Sequence, residues 1–476
     1  MDNHKPNYVH IEADKELEEI PKRSAFWFDS KKRDEDSYSG FFDRVTLFFT
    51  FCLTLISFII FWPIISQISF EEAFLTPLVP FILNLFGNFN LDANYSVRIL
   101  FIVAFILSTV GLYLLVRELA RRQVTPILAA VLYLIPPIPI IALALAKNDF
   151  LELGIEGAKS FFMIMYGDTS HFLALSLVPF AMLFFFKFLK EGTKKDLFVV
   201  VFICTLVLLI NRSQSFYLGI ILLISTTGEA ILGLARIKIF RFLQVLIFSI
   251  ALSAFWYVSN FWIEGYKVFG ENAFANLELL FPLPFIIGIL SLLFSFVFFA
   301  KREDRQLIFV TFSTFIVFFS IILVWFLHGR SLMPYPHRLL PNLIMFGAII
   351  VALTLSSVVD KLKIVEKIGF SKWSVGAKAL GALVFGVGSF VFLTLVAYFV
   401  SPIIILALAG PGGVITKIKE NVLADRAETI RLAGGNFGLV SQNEHEWKLL
   451  LGLTISILAV LCLLFLLLFK RSSKKN

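Results

Sequence analysis

The chain is 476 residues long, with 58% hydrophobic residues, only 16% charged residues, a net charge of +8 and a mean hydropathy of +0.86. A soluble domain carries about a quarter charged residues. Here the apolar excess falls in runs of roughly 20, the length a helix needs to cross about 30 Å of hydrocarbon, so a soluble globular class is excluded. The basic residues sit in short turns between those runs, where they read as topology signals and exclude a nucleic-acid groove.

Backbone polar groups in lipid must be satisfied within the segment, so the runs are helices. The pattern predicts an all-α polytopic integral membrane protein of about 12 transmembrane helices, with short interfacial helices on the outer face. Residues 1–44 are a charged cytoplasmic tail holding Lys31, Lys32, Arg33, Asp34, Glu35 and Asp36. Spans are expected at 45–66, 97–116, 123–146, 170–188, 196–212, 215–234, 239–260, 280–300, 306–327, 339–359, 379–408 and 449–469, and residues 470–476 form a basic cytoplasmic tail. The transmembrane domain is thus 45–469, with outer loops at 67–96, 147–169, 261–279, 328–338 and 409–448.

Most of the 42 lysines and arginines fall on the inner side of this scheme, as in Arg117, Arg121 and Arg122, or Lys187, Lys190, Lys194 and Lys195. A missed or invented span would reverse that alternation downstream. Both termini are therefore expected in the cytoplasm. A bias to Phe, Ile, Leu and Lys suggests an AT-rich prokaryotic genome, hence a plasma membrane.

Two outer segments carry further helical patterns. The apolar stretch Phe74 to Phe86, interrupted by Pro77 and Pro80, is too short to span and reads as a re-entrant or interfacial helix. In 410–447, Ile415, Ile418, Val422 and Ile430 share one face ahead of Gly434-Gly435. Cys52, Cys204 and Cys462 lie in apolar runs and read as small hydrophobes. Asn94 and Asn211 open short sequons of a kind that arises by chance. No GxxxxGK[ST], GxSxG, HExxH or CxxC motif occurs.

The middles of the expected spans lack Asp, Glu, Lys, Arg and His. Ion-coupled carriers bind their ion near the midplane through such groups, so their absence weighs against one. Ionisable residues gather instead at the outer surface. Glu71 and Glu72 are adjacent carboxylates that suit a general base or metal ligands, or else solvated charges favoured by a helix dipole. Asp149 and Glu152 form a second acidic group with Asp168 and His171, the last two at i and i+3. That spacing suits a metal or a metal-bound pyrophosphate, or simply a helix cap beside an interfacial histidine.

Arg212, Arg330 and Arg338 lie in short outer loops, against the charge bias. A forked guanidinium matched to phosphate oxygens explains such placement, and so does snorkelling to lipid headgroups. His328, His337 and Tyr335 make the loop around Arg330 and Arg338 the densest polar cluster on that side.

In order along the chain these features resemble the C-superfamily (GT-C) of polytopic glycosyltransferases. Residues 75–137, LTPLVPFILNLFGNFNLDANYSVRILFIVAFILSTVGLYLLVRELARRQVTPILAAVLYLIPP, are similar to that family's outer-surface helix and second and third spans. GDTSHFLALSLVPFAMLFFFKFLKEG (167–192), SAFWYVSNFW (253–262) and the P-HRLLP segment (336–341) resemble later landmarks.

The resemblance implies a sugar donor on polyprenyl phosphate, used outside the membrane. It implies a catalytic acidic residue in the first outer loop, where Glu71 and Glu72 stand, and a second acidic residue near a metal or pyrophosphate, for which Asp149, Glu152 and Asp168 are available. Basic side chains for the lipid phosphate would be Arg330 and Arg338. Family members commonly carry an aspartate where this chain has Glu71-Glu72-Ala73. A transporter or flippase of lipid-linked substrates, or a non-catalytic scaffold of the same fold, stays open, as do a divalent metal requirement, the oligomeric state and the identities of sugar and acceptor. Membrane lipids are the expected surroundings.

Overall fold

The computed structural model describes residues 48, 51–52, 54–55, 76–120, 124–134, 169–231, 235–257, 278, 305–328, 330–333, 336–361, 420–421, 424, 427 and 446–468. The charged tail and the expected spans at 280–300 and 379–408 lie outside them, as does the span at 45–66 save for helical residues 48, 51–52 and 54–55. Among the described residues there is helix and no strand.

In chain order the helices are α1 (Leu78–Asn88), α2 (Ala93–Leu119), α3 (Val124–Leu134), α4 (Thr169–Glu191), α5 (Lys194–Ile210), α6 (Arg212–Ile231), α7 (Ala235–Ser253), α8 (Arg305–His328), a 3-10 turn at Pro336–Leu339, α9 (Leu340–Lys361) and α10 (Glu446–Leu468). Among the described residues, five stretches of helix are long and apolar enough to cross a membrane: Ala93–Leu119, Thr169–Glu191, Gln306–Trp325, Pro336–Ser357 and Leu450–Leu468. The protein is thus an all-helical membrane protein among its described residues.

Local chemistry sets the element ends. α1 stops at Phe89 and Asn90, the latter at φ 58, a left-handed position that asparagine tolerates better than most residues. Its 11 residues span about 16 Å, short of a bilayer. Asp92 then caps α2 by accepting a hydrogen bond from the Asn94 amide at 3.2 Å. At the opposite end of the bundle, Gly192 terminates α4 at φ +68 with its amide on Phe188 O at 2.8 Å. Thr193 caps α5 through the Asp196 amide at 3.1 Å.

α4 occupies the centre, packed on α2, α5, α6 and α7, while α9 lies against α3 and α8. Lipid chains are as apolar as leucine, so helices in a bilayer adhere through close packing and interhelical hydrogen bonds. Gly111 on α2 meets the Phe180 ring of α4, and Gly228 on α6 meets Phe309 of α8. Deeper in the bundle, Phe101, Phe105, Phe172, Tyr217, Phe318 and Phe346 are all under 2% exposed. They pack in two aromatic groups: Phe101 to Phe172 at 4.7 Å between ring centres in one, and Tyr217 to Phe318 at 6.1 Å and Phe318 to Phe346 at 6.4 Å in the other. α10 is peripheral, tied to α7 by Ser456, whose hydroxyl donates to Ala251 O at 3.0 Å and accepts from the Phe255 amide at 2.9 Å.

Two element ends differ from the expected spans. The break expected at residues 213–214 falls at Asn211, because that side chain itself caps the following helix. The span expected to run to 260 ends as helix at Ser253, and the chain turns through Ala254–Trp256 so that Tyr257 reaches back to Leu208 O at 2.7 Å.

Candidate functional site

Polar side chains converge at the end of the bundle where α2, α4, α6 and α9 begin. The centre of this region is Asn211, 5% exposed, in extended backbone between α5 and α6. Its amide proton goes to Val207 O at 2.9 Å, its side-chain oxygen accepts from the Gln214 amide at 2.9 Å, and its side-chain nitrogen donates to Ser170 Oγ at 3.1 Å. One residue therefore ends α5, starts α6 and ties both to the first turn of α4.

Gln214 and Asn342, both fully buried, face each other across α6 and α9. Each donates its side-chain N–H to the other's oxygen at 2.9 Å. Arg338, on the 3-10 turn before α9, donates from Nη1 to Ser213 Oγ on α6 at 3.2 Å. Its neighbour His337, 8% exposed, has Nδ1 at 2.6 Å from Asn421 Oδ1, on a helical segment of the 409–448 loop.

The last carbonyls of α5 are also held from outside. Thr76 Oγ1 donates to Ile210 O at 2.5 Å, and the Tyr257 hydroxyl donates to Leu208 O.

Of the residues singled out in the sequence, the structure gathers Arg212, His337, Arg338 and His171 at this end. His171 is 1% exposed, its ring edge-on to Tyr217 at 6.2 Å, so it belongs to the aromatic group of Tyr217. Arg330 stands exposed on the loop leading to the 3-10 turn, near exposed His328. Glu71, Glu72, Asp149, Glu152 and Asp168 lie outside the described residues. Among the described residues, no group of three or more His, Cys, Asp or Glu side chains is arranged to hold a metal ion.

Sequence reasoning missed Ser170, Ser213 and Gln214, and treated Asn211 only as a sequon. The signal was present in the run Asn211-Arg212-Ser213-Gln214, four polar residues at a helix junction that contains no Gly or Pro. With its amide nitrogen on Ser170, Asn211 is part of the buried framework and does not present a glycosylation acceptor.

What the fold and this region define together is a class: a helical membrane protein with a basic, hydrogen-bonded polar cluster at one end, floored by aromatic rings. No family model matches the sequence, and neither the curated proteins nor the solved structures contain a match.

Proposed function

We propose that the protein is a twelve-span plasma-membrane glycosyltransferase that moves a sugar from a polyprenyl-phosphate donor to an acceptor on the outer side. The observation that carries this reading is the Arg338–Ser213 hydrogen bond, because Ser213 directly follows Arg212. Two arginines from separate helical elements thereby stand at one end of the bundle, a pattern suited to a lipid-borne phosphate. The aromatic packing beneath also supports it. A transferase needs a site open at one face, whereas a flippase needs a polar path through the middle.

In this mechanism the donor enters sideways from lipid and its phosphate rests against Arg212 and Arg338, with Arg330 at the rim. Glu71 or Glu72 takes the proton of an acceptor hydroxyl, the hydroxyl oxygen bonds to the anomeric carbon with inversion, and the bond to the phosphate oxygen breaks. The polyprenyl phosphate leaves as an anion, so no leaving-group acid is required. Asp149, Glu152 and Asp168 of the second outer loop, with His171 buried below, stand as the second acidic group.

The test is transfer from a panel of polyprenyl-phospho-hexoses by the full-length protein in lipid nanodiscs, comparing wild type with Glu71→Gln/Glu72→Gln. The double variant loses transfer while its expression and thermal unfolding stay native. Full transfer in that variant refutes the assignment of the base. Movement of the lipid-linked sugar across proteoliposomes without chemical conversion refutes the transferase reading and establishes the flippase.

A further inference from the structure

The Gln214–Asn342 pair lies fully buried between two helices. The surrounding lipid is as apolar as leucine, so leucines there would add little adhesion, and hydrogen bonds between the helices supply part of it. Adhesion is one role of such a pair, and fixing register is a second. The pair closes a ring of two hydrogen bonds of 2.9 Å each, linking residues 128 positions apart. Turning both amides over exchanges donors and acceptors and leaves the ring intact. Turning one over, or sliding either helix by a residue, breaks both bonds in a setting where nothing else replaces them.

The ring also sits where register matters. Gln214 is two residues beyond Arg212, and Asn342 is four beyond Arg338. The α6 side is pinned from behind, because the Gln214 amide is held by Asn211 Oδ1 and Asn211 by Ser170 of α4. The Arg338–Ser213 bond crosses the same gap on the polar side of the ring. Ser170, Asn211, Gln214 and Asn342 thus form one chain of hydrogen bonds through four segments of the bundle.

We propose that Gln214 and Asn342 are positioning residues, whose reciprocal amide bridge fixes the spacing of Arg212 and Arg338 so that both guanidinium groups address one phosphate. This rests on the phosphate-binding reading above. It assigns the bridge a role in ligand geometry that a buried helix contact alone would not have.

The test uses the full-length protein in phosphatidylcholine nanodiscs, with farnesyl monophosphate as probe, reading Kd and thermal unfolding together. Gln214→Asn shortens the bridge and Asn342→Gln overfills it, so each weakens Kd on the order of tenfold. The exchanged double variant Gln214→Asn/Asn342→Gln keeps the summed length of the two side chains and restores Kd to within about threefold of wild type. Gln214→Leu/Asn342→Leu removes both polar partners, so it unfolds near the native temperature yet binds about tenfold more weakly.

Native Kd in the leucine pair overturns the positioning role and leaves the bridge as helix adhesion. So does an exchanged variant that folds natively but binds no better than the single variants. Should the single variants not fold, the leucine pair still decides. Wild-type Kd in both Arg212→Ala and Arg338→Ala would instead remove the phosphate reading itself, an outcome separate from failure of the bridge.

Discussion

Arg330 and Arg338 are not equivalent, and their difference in setting converts into a difference in affinity. Arg338 is half-buried, held on a 3-10 turn whose flanking residues His337 and Leu339 are buried, with Nη1 fixed on Ser213 Oγ at 3.2 Å. A charge-assisted hydrogen bond made by such a group contributes about 1.5–3 kcal/mol. Since about 1.4 kcal/mol is a factor of ten, Arg338→Ala raises the Kd for a prenyl monophosphate about 10- to 150-fold. Arg330 is exposed on the adjoining loop, where water and salt screen its charge, so Arg330→Ala costs at most about fivefold.

Arg338→Lys keeps the charge but loses the fork and falls between these two. The assay is titration of farnesyl monophosphate into nanodisc-embedded protein at about 0.05 and 0.5 M salt. The Arg330 effect fades at high salt, where the Debye length drops to a few Å, while the Arg338 effect persists. Equal losses for Arg330→Ala and Arg338→Ala, or a larger loss for Arg330→Ala, would refute the argument that anchoring at Ser213 makes the site.

Asn211→Ala removes the cap of α6 and the tie to Ser170 together. It lowers stability by about 1–2 kcal/mol, read as a fall in unfolding temperature, with Asn211→Asp recovering the acceptor for the Gln214 amide. Gly111→Ala places a Cβ 2.6 Å from Phe180 Cε2 and destabilises the α2–α4 contact by about 1–3 kcal/mol, and Phe180→Leu in the same chain relieves part of the loss. The expected topology puts Ser331 outside and Lys194 inside. Ser331→Cys is then labelled by an impermeant maleimide in intact cells, while Lys194→Cys is reached only after permeabilisation. The reverse pattern would invert the scheme.

Much of the helical framework was legible because length and hydropathy decide it. Long apolar runs became α2, α4, α8, α9 and α10, each starting and ending within a few residues of the expected spans. The ends that moved did so for reasons invisible to hydropathy. Asn211 interrupts the helix because its side chain accepts from the Gln214 amide and donates to Ser170 Oγ, and Tyr257 draws the chain after α7 back to the end of α5. The same contrast holds at the candidate site. Arg212, His337 and Arg338 stood out as charged or titratable groups in short loops between apolar runs. The Gln214–Asn342 bridge did not, since no periodicity pairs residues 128 apart and Gln214 alone reads as a polar residue near a helix start. Arg330 and Arg338 looked alike in sequence and separate only once burial is known.

The interior of the bundle bears on what kind of substrate it can serve. Hydroxyls along the middle are largely turned onto their own helices: Ser108 and Thr109 to Phe105 O, Ser176 to Leu173 O, Ser225 to Ile221 O and Thr226 to Leu222 O. A hydroxyl so engaged offers little to a passing sugar. Among the described residues, the buried hydroxyls of Thr125, Ser313 and Thr314 have no hydrogen-bond partner. Three separate hydroxyls cannot replace the hydration shell of a phosphate, whose removal from water without paired charge costs far more than they return. Among the described residues, Arg212 and Arg338 could do so, and they stand at the polar end of the bundle. Among the described residues, an anionic headgroup thus meets compensating charge at the polar end, as the transferase proposed above requires.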